Sequence, residues 1–285
     1  MCPPVDVDRA PIAWRESGSG PVALFLHGLG GSRIAWEPQL SGLADVRRCV
    51  AWDMPGYGAS PGLPDSFAAL AAAAAGLIRR IATGPVDVVG LSMGGMVAQH
   101  LAIEHPEAVR SLVLLDSSPA FGLDGSTPNQ WLDLRLKPLA EGRAPAELAP
   151  TVIAAVVGPG ATDEQRAAAV AAMARIAGSA LRAACTTLVT HDTRSRLGQI
   201  RCPTLVAVGE HDTETPLSYA RVLLDLIPGA RLEVLAGAGH LSNLETPDRV
   251  NELLREFWVA HSDRTTATDN SDRTTATERQ RPDDG

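Results

Sequence analysis

The length, composition and charge of the chain exclude several classes of protein. It has 285 residues, of which 45% are hydrophobic and 20% charged, so it can bury a substantial globular core. Its formal net charge of −8 argues against a nucleic-acid partner, because phosphate binding relies on clustered lysine and arginine. The sequence shows no membrane-length apolar run, no secretory signal and no cysteines with CxxC or metal-ligand spacing. We therefore expect a cytoplasmic protein with free thiols that has no membrane or nucleic-acid partner.

Short apolar runs alternate with amphipathic helical stretches along most of the chain. From residue 22 these runs are continuous, as in VALFL, LVLL and TLVAV, which is typical of strands covered by helices on both faces. The alternation predicts an α/β fold with a mostly parallel, doubly wound sheet, whose first two strands could form an antiparallel edge. The predicted strands are 5–8, 12–16, 22–27, 46–52, 86–91, 109–115, 203–208 and 230–235. The predicted helices outside the insertion described below are 33–43, 66–82, 92–104, 216–227 and 247–259.

The alternation stops between about Ser118 and Gln199. This segment is too long for an ordinary loop, and it contains alanine-rich helical stretches at 127–140, 145–157, 162–178 and 179–190. We expect a helical cap, residues 119–198, inserted into a core made of residues 1–118 and 199–261. Residues 262–285 contain a near-repeat, SDRTTATDN and SDRTTATER, without large apolar side chains, which predicts a disordered tail.

The stretch VVGLSMGGMVAQH, residues 88–100, places a serine between a strand-like run and a helical pattern. Ser92 stands in a Gly-x-Ser-x-Gly motif with Gly90 and Gly94, and glycine tolerates the close backbone approaches of a sharp turn. The motif is typical of a nucleophile elbow, which exposes a serine hydroxyl above a sheet. It also fits a simple helix N-cap, so a catalytic interpretation requires a base and an acid elsewhere in the chain.

Two later stretches offer these partners in the order serine, acid, histidine. Asp212 in GEHDTETP follows the next-to-last predicted strand, and His240 in GAGHLSNLETP follows the last one. Both lie beyond the C-terminal end of a strand, where the catalytic groups of open α/β sheets gather. We therefore predict a catalytic triad of Ser92, His240 and Asp212. Asp116, which ends the strand LVLLD, is an alternative for the acid.

The reaction also needs N–H donors for a developing oxyanion. One is expected from Met93, which follows the serine, and the other from the loop HGLGG, where we choose Leu29 ahead of Gly30. His27 in the same loop is expected to be held by backbone hydrogen bonds rather than to act as a base. No cluster of metal ligands stands out in the sequence, so we expect neither a metal nor an organic cofactor.

The motifs HGLGGS, DMPGYGAS, GLSMGGMVAQHLA, GEHDTETP and GAGHLSNLETP resemble the landmarks of the α/β-hydrolase superfamily, in order, over about residues 10–260. Within it, GLSMGGMVAQ, HDTRSRLGQIRCPTLVAVGEHD and GHLSNLETP most resemble 3-oxoadipate enol-lactonases. The resemblance implies an α/β-hydrolase fold and a Ser–Asp–His enzyme that opens a small, carboxylate-bearing lactone in aromatic catabolism. TPNQWLDLR is similar to the start of that family's cap, whereas residues 150–160 lack the aromatic residues expected there.

The same motifs leave other functions open. Carboxylesterases, cofactor-free haloperoxidase-like enzymes and carbon–carbon bond hydrolases share them, and a non-catalytic binding protein of this fold could retain a triad. We predict a serine hydrolase that cleaves a small ester or lactone through an acyl-enzyme. In the cap, Trp131 and Arg135 lie one helical turn apart and could hold a substrate carboxylate. The alternative is a core tryptophan beside a solvated arginine.

Overall fold

The computed structural model describes residues 4–8 and 11–261, and the predicted tail lies outside them. Eight strands form one sheet in the order β1-β2-β4-β3-β5-β6-β7-β8, and only the pairs β1–β2 and β2–β4 are antiparallel. The predicted α/β fold with a mostly parallel sheet and an antiparallel edge is confirmed. The strands are β1 (Val5–Val7), β2 (Trp14–Ser17), β3 (Val22–Leu26), β4 (Arg48–Trp52), β5 (Val86–Leu91), β6 (Val109–Leu115), β7 (Thr204–Gly209) and β8 (Arg231–Leu235).

Helices follow most of the strands at close to the predicted positions. Two predicted helices are wrong in extent: 33–43 divides into a 3₁₀ turn, Arg33–Trp36, and a short α-helix whose first turn accommodates Pro38. The stretch 162–178 ends early, and the chain bends by 98° before the next helix begins at Gly178. The α-helices are α1 (Glu37–Gly42), α2 (Phe67–Ile81), α3 (Met93–Glu104), α4 (Pro128–Ala140), α5 (Pro145–Val156), α6 (Asp163–Ala174), α7 (Gly178–Leu188), α8 (Leu217–Leu226), α9 (Ser242–Glu245) and α10 (247–261).

The central strands are buried on both faces, which explains their continuous apolar sequence. Side chains of a strand alternate between the faces of its sheet. In β3, Leu24 and Leu26 therefore pack into one core with α2, α3 and α8, while Phe25 packs into a second core with α1 and α10. The loops at the C-terminal edge are therefore attached to a sheet that is packed on both faces.

The helices α4–α7 are inserted between β6 and β7, which are adjacent parallel strands. The two ends of the insertion meet in an isolated antiparallel bridge between Ala120 and Asp192. Next to it, Phe121 N–H donates to the His191 carbonyl at 2.8 Å and Thr193 N–H donates to the Pro119 carbonyl at 2.9 Å. The chain thus leaves the sheet domain and returns to it at neighbouring positions.

Helix length and composition bear on membrane insertion. Among the residues described, none of the helices is by itself long and apolar enough to cross a bilayer. The bent pair α6–α7 meets the length and composition criteria only when its two helices are taken together.

Candidate active site

Ser92 occupies a strained turn between β5 and α3. Its φ of +54° and ψ of −121° lie in a region that residues other than glycine rarely adopt, as expected for a nucleophile elbow. The flanking glycines are required by close backbone approaches: a Cβ on Gly90 would collide with the Gly94 carbonyl, and a Cβ on Gly94 would collide with the Leu26 carbonyl. Ser92 N–H donates to the Leu115 carbonyl at 2.9 Å, which ties the turn to the neighbouring strand.

The structure brings Ser92, His240 and Asp212 together in one chain of hydrogen bonds. His240 Nε2 lies 2.8 Å from Ser92 Oγ, and His240 Nδ1 lies 2.9 Å from Asp212 Oδ2. Because a carboxylate can only accept, the proton is assigned to Nδ1, which leaves Nε2 free to accept the serine proton. Asp212 is held in turn by Thr215, whose N–H donates to Oδ1 at 3.0 Å and whose hydroxyl donates to Oδ2 at 2.8 Å.

The buried carboxylate and imidazole stabilise each other's charged forms. Burial by itself would lower the pKa of His240, but the charge and hydrogen bond of Asp212 outweigh it and raise that pKa. Burial would raise the pKa of Asp212, but the charge and hydrogen bond of His240 outweigh it and lower that pKa. The pair is therefore arranged to stabilise an imidazolium beside the Ser92 hydroxyl.

Asp116, the alternative acid, is close to this pair but has other hydrogen-bond partners. Its carboxylate accepts from Gly209 N–H at 2.7 Å and from the Ser242 hydroxyl at 2.5 Å. Burial and the nearby Asp212 carboxylate raise the pKa of Asp116 to about 7. Since the imidazole hydrogen-bonds to Asp212, the geometry assigns Asp116 to supporting the loop that carries His240.

The backbone N–H groups of Leu29 and Met93, in the two turns that meet at Ser92, have no acceptor among residues 4–8 and 11–261. The carbonyl of Gly28 accepts from His27 Nδ1 at 2.9 Å and from Gly31 N–H at 3.0 Å. The Gly28 carbonyl and the Leu29 N–H belong to the same trans peptide, so they point in opposite directions. The Leu29 N–H therefore points away from the His27 ring and the Gly31 N–H. A Cβ on Gly28 would lie 3.0 Å from the Ser92 Cβ, which places this loop directly against the serine.

His27 is fully buried and held by backbone groups, as the sequence predicted. Its Nδ1 lies 2.9 Å from the Gly28 carbonyl, and its Nε2 accepts from Met54 N–H at 3.0 Å. Burial lowers the pKa of His27, so the ring remains neutral and holds the loop in place.

A cavity of about 290 Å³ lies above Ser92 and reaches into the inserted helices. Its wall is largely apolar, while its polar side includes Asp124, Arg135, Glu214 and Tyr219. Trp131 lines the cavity and packs edge-on against Phe121, with ring centroids 5.7 Å apart. Among the described residues, no group of three or more His, Cys, Asp or Glu side chains is placed to hold a metal ion.

Arg135 lines the cavity, is partly exposed and forms an ion pair. Its Nη2 lies 3.2 and 3.0 Å from the two carboxylate oxygens of Glu214, and its guanidinium lies 5.2 Å from the Trp131 ring centroid. The structure places Trp131 and Arg135 at the cavity and adds an acidic partner that neither sequence-based interpretation included, and the role of Arg135 in substrate binding stays a prediction. Glu214 lies 79 residues further along the chain, and no local pattern indicated that it reaches α4.

The inserted helices also contact the loop of His240 through main-chain groups and Glu245. His240 N–H donates to the Val156 carbonyl at 2.9 Å. Glu245 Oε2 accepts from Gly158 N–H at 2.7 Å and from Gly239 N–H at 3.0 Å, while its Oε1 accepts from Leu241 N–H at 3.0 Å. We name this set of bonds the Glu245 clamp. It joins the end of α5 to the residues on both sides of His240, and sequence reasoning missed it.

Comparison with known proteins assigns the family. Residues 23–253 match the alpha/beta hydrolase family. This chain belongs to that family. The hydrolase is 33% identical over 232 residues to a pimeloyl-[acyl-carrier protein] methyl ester esterase of Chromobacterium violaceum, an alignment that covers 78% of this chain and 88% of that protein.

Solved structures of other proteins have the same overall fold as this hydrolase. An esterase of Thermogutta terrifontis superposes with a TM-score of 0.80 at 26% identity, covering 91% of this chain and 99% of that one. An enol-lactonase of Burkholderia xenovorans superposes with a TM-score of 0.79 at 24% identity, covering 87% of this chain and 96% of that one. The second comparison shows the fold alone, so the enol-lactonase-like substrate stays a prediction.

Proposed function

We propose that this hydrolase cleaves a small ester or lactone through an acyl-enzyme formed on Ser92. The observation that carries the proposal is the hydrogen-bonded chain from Asp212 through His240 to Ser92, at one end of a cavity of about 290 Å³. The similarity to esterases supports the same reaction class. A binding protein would not need a positioned base, an orienting carboxylate and unpaired N–H groups around one hydroxyl.

In the proposed reaction, His240 Nε2 takes the Ser92 hydroxyl proton while Oγ attacks the carbonyl carbon. Asp212 keeps the Nδ1 proton in place and stabilises the imidazolium. The N–H groups of Leu29 and Met93 donate to the oxyanion. When the tetrahedral intermediate collapses, the carbon–oxygen bond to the leaving group breaks and His240 returns the proton to that oxygen. Water then attacks the acyl-enzyme, activated by the same imidazole, and the acid is released as Ser92 is regenerated.

We further propose that residues 119–198 act as a cap that selects the substrate, while residues 1–118 and 199–261 supply the chemistry. The cavity supports this division, because α5, α6 and α7 contribute much of its apolar wall and α4 contributes Trp131 and Arg135. The narrower enol-lactonase hypothesis needs a cation that is free to bind a substrate carboxylate. Arg135 was the candidate, and its ion pair with Glu214 favours the broader ester or lactone activity.

The test is hydrolysis of p-nitrophenyl pentanoate by the wild-type protein and by Ser92→Ala. We expect the variant to lose about 10⁴- to 10⁶-fold in kcat, because the nucleophile is removed. After rapid acid quenching, mass spectrometry should show a pentanoyl adduct on the wild-type chain and none on the variant. Near-normal turnover by Ser92→Ala, or a wild-type protein that binds the ester without cleaving it, would contradict the proposal.

A further inference from the structure

We propose that the Arg135–Glu214 ion pair, together with Asp124, makes this site selective for uncharged acyl groups over acyl groups that end in a carboxylate. The inference rests on the proposed esterase function and names its substrate class. It concerns the polar side of the cavity, where α4 of the insertion faces the loop that follows β7.

The guanidinium of Arg135 already has an acidic partner. Its Nη2 lies within 3.2 Å of both Glu214 oxygens, and one face of the group lies over the Trp131 ring. Its Nε is buried and has no acceptor among the described residues, so it is not accessible to a ligand from the cavity. A substrate carboxylate would therefore meet a guanidinium whose positive charge is already balanced by Glu214, and the neighbouring carboxylate would weaken its attraction to Arg135.

The charged side chains that line the cavity beyond Ser92, His240 and Asp212 do not favour an anion. Among the described residues that line it, Arg135 is the single arginine or lysine, whereas Asp124 and Glu214 both contribute carboxylates. Hydrogen bonds from the Ser126 N–H and hydroxyl, both at 2.9 Å, lower the pKa of Asp124 and keep it ionised. This side of the cavity therefore carries one positive and two negative charges, and Glu214 is close enough to His240 to help raise the pKa of the imidazole.

The rest of the wall offers little to compensate a buried carboxylate. Moving an anion out of water is costly unless it gains charged or hydrogen-bonding partners. An uncharged acyl chain loses no such solvation and gains apolar contact with the wall. The apolar side chains that line the cavity include Phe121, Val152, Ile153, Met173, Leu188 and Leu244.

The experiment compares p-nitrophenyl pentanoate with p-nitrophenyl hydrogen glutarate, which have the same chain length but end in a methyl group and a carboxylate. The measured quantity is the ratio of kcat/KM for the anionic ester to that for the neutral ester. We expect wild type to favour the neutral ester by at least about tenfold. Glu214→Gln keeps the size of the side chain and frees the charge of Arg135, so the ratio should rise about 10- to 100-fold, as for a gained charge-assisted bond.

Three further variants make the result specific. Asp124→Asn should raise the ratio by a smaller factor, because Asp124 is exposed and its field is screened. Adding Arg135→Met to Glu214→Gln should abolish most of the gain. Glu164→Gln, at an exposed position on α6 outside the cavity lining, removes the same charge and should leave the ratio unchanged.

The outcomes separate this inference from the proposed function. Two results would overturn the selectivity and leave the esterase function standing. The first is rapid hydrolysis of both esters at equal rates. The second is an unchanged ratio of kcat/KM values in folded Glu214→Gln and Asp124→Asn. If wild type cleaves neither ester, the proposed function is wrong and the selectivity falls with it. Thermal melts of each variant establish that a changed ratio comes from folded protein.

Discussion

At the scale of single residues, the protonation of His240 depends on charges around the imidazole. Burial acts to lower its pKa, whereas the carboxylates of Asp212, Asp116 and Glu214 act to raise it, with Asp212 the largest of the three. A general base must be neutral to accept a proton, so kcat/KM should increase as the pH rises through the pKa of His240. The pH dependence of kcat/KM therefore reports the protonation of His240.

Replacing Asp212 with asparagine removes the largest influence that raises the pKa of His240. In Asp212→Asn we expect the midpoint of the pH profile to move to lower pH, because the imidazolium loses its closest anion. We also expect kcat to fall roughly 10³- to 10⁴-fold, because the amide no longer holds the required tautomer. The measurement is kcat/KM for p-nitrophenyl pentanoate from pH 5 to 10. Asp116→Asn is the comparison: if it is the more damaging change and Asp212→Asn is mild, Asp116 is the acid.

At the scale of secondary-structure elements, the Glu245 clamp joins α5 to the loop that carries His240. A Cβ on Gly158 would lie 2.7 Å from the Gly239 nitrogen, so the two loops are in close backbone contact. The loop that positions the imidazole is therefore held by hydrogen bonds and backbone contacts that include the end of α5. We therefore expect some changes in the insertion to alter turnover even where the altered side chain does not touch the substrate.

The expected consequence is that Glu245→Gln lowers kcat as well as stability. An amide has one acceptor oxygen where the carboxylate has two, so at least one of the three N–H groups loses its acceptor, at a cost of about 1–3 kcal/mol. For a chain of this size, that corresponds to a melting temperature lower by roughly 2–12 °C. Melting curves and kcat for p-nitrophenyl pentanoate measure both effects.

An exposed glutamate on α10 provides the control for the clamp. Glu252 pairs with Arg249 at 2.7 Å, and 61% of its side chain is exposed, so Glu252→Gln should change stability by less than about 0.5 kcal/mol. A Glu245→Gln protein whose melting temperature and kcat match those of Glu252→Gln would show that the clamp contributes nothing.

At the scale of the whole molecule, a buried histidine at the base of the insertion makes stability depend on pH. His191 Nε2 donates to the Ser118 carbonyl at 2.9 Å, and its ring packs 4.9 Å from that of Phe67 and 5.4 Å from that of His100. Burial lowers the pKa of His191 to about 3, from 6.5 in the unfolded chain. The folded protein therefore holds His191 neutral, whereas the unfolded chain binds a proton below pH 6.5.

The sign of the effect follows from the depressed pKa. The contribution of neutral His191 is fully present above pH 6.5 and is lost as the pH falls towards 3, at up to about 1.4 kcal/mol per pH unit. In His191→Gln this loss is absent, so the free energy of unfolding should fall less steeply between pH 6.5 and 4. Urea titrations at several pH values measure the slope for both proteins. Parallel slopes would mean that His191 titrates normally in the folded state.

The sequence by itself determined the layered sheet and the gathering of Ser92, Asp212 and His240 at its edge. Continuous apolar strands, helical periodicity and the glycines around Ser92 are local signals, because each arises from neighbouring residues that share one element or one turn. The order of Ser92, Asp212 and His240 could also be predicted, since parallel strands bring their C-terminal ends to one edge wherever they occur in the chain. The predicted bounds of 33–43 were wrong, because a 3₁₀ turn and a short α-helix follow each other there with the same apolar spacing.

Only the tertiary structure decided which charges meet and how the insertion is attached. Glu214 pairs with Arg135 from 79 residues away, and Glu245 accepts from Gly158 across 87 residues. It also decided that Asp212 rather than Asp116 reaches the imidazole, although both follow strands at the same edge. The physical reason is that a hydrogen bond requires atoms to lie within about 3 Å with the correct orientation. Hydrophobic periodicity places an element in its layer but does not fix side-chain positions to that precision between distant segments.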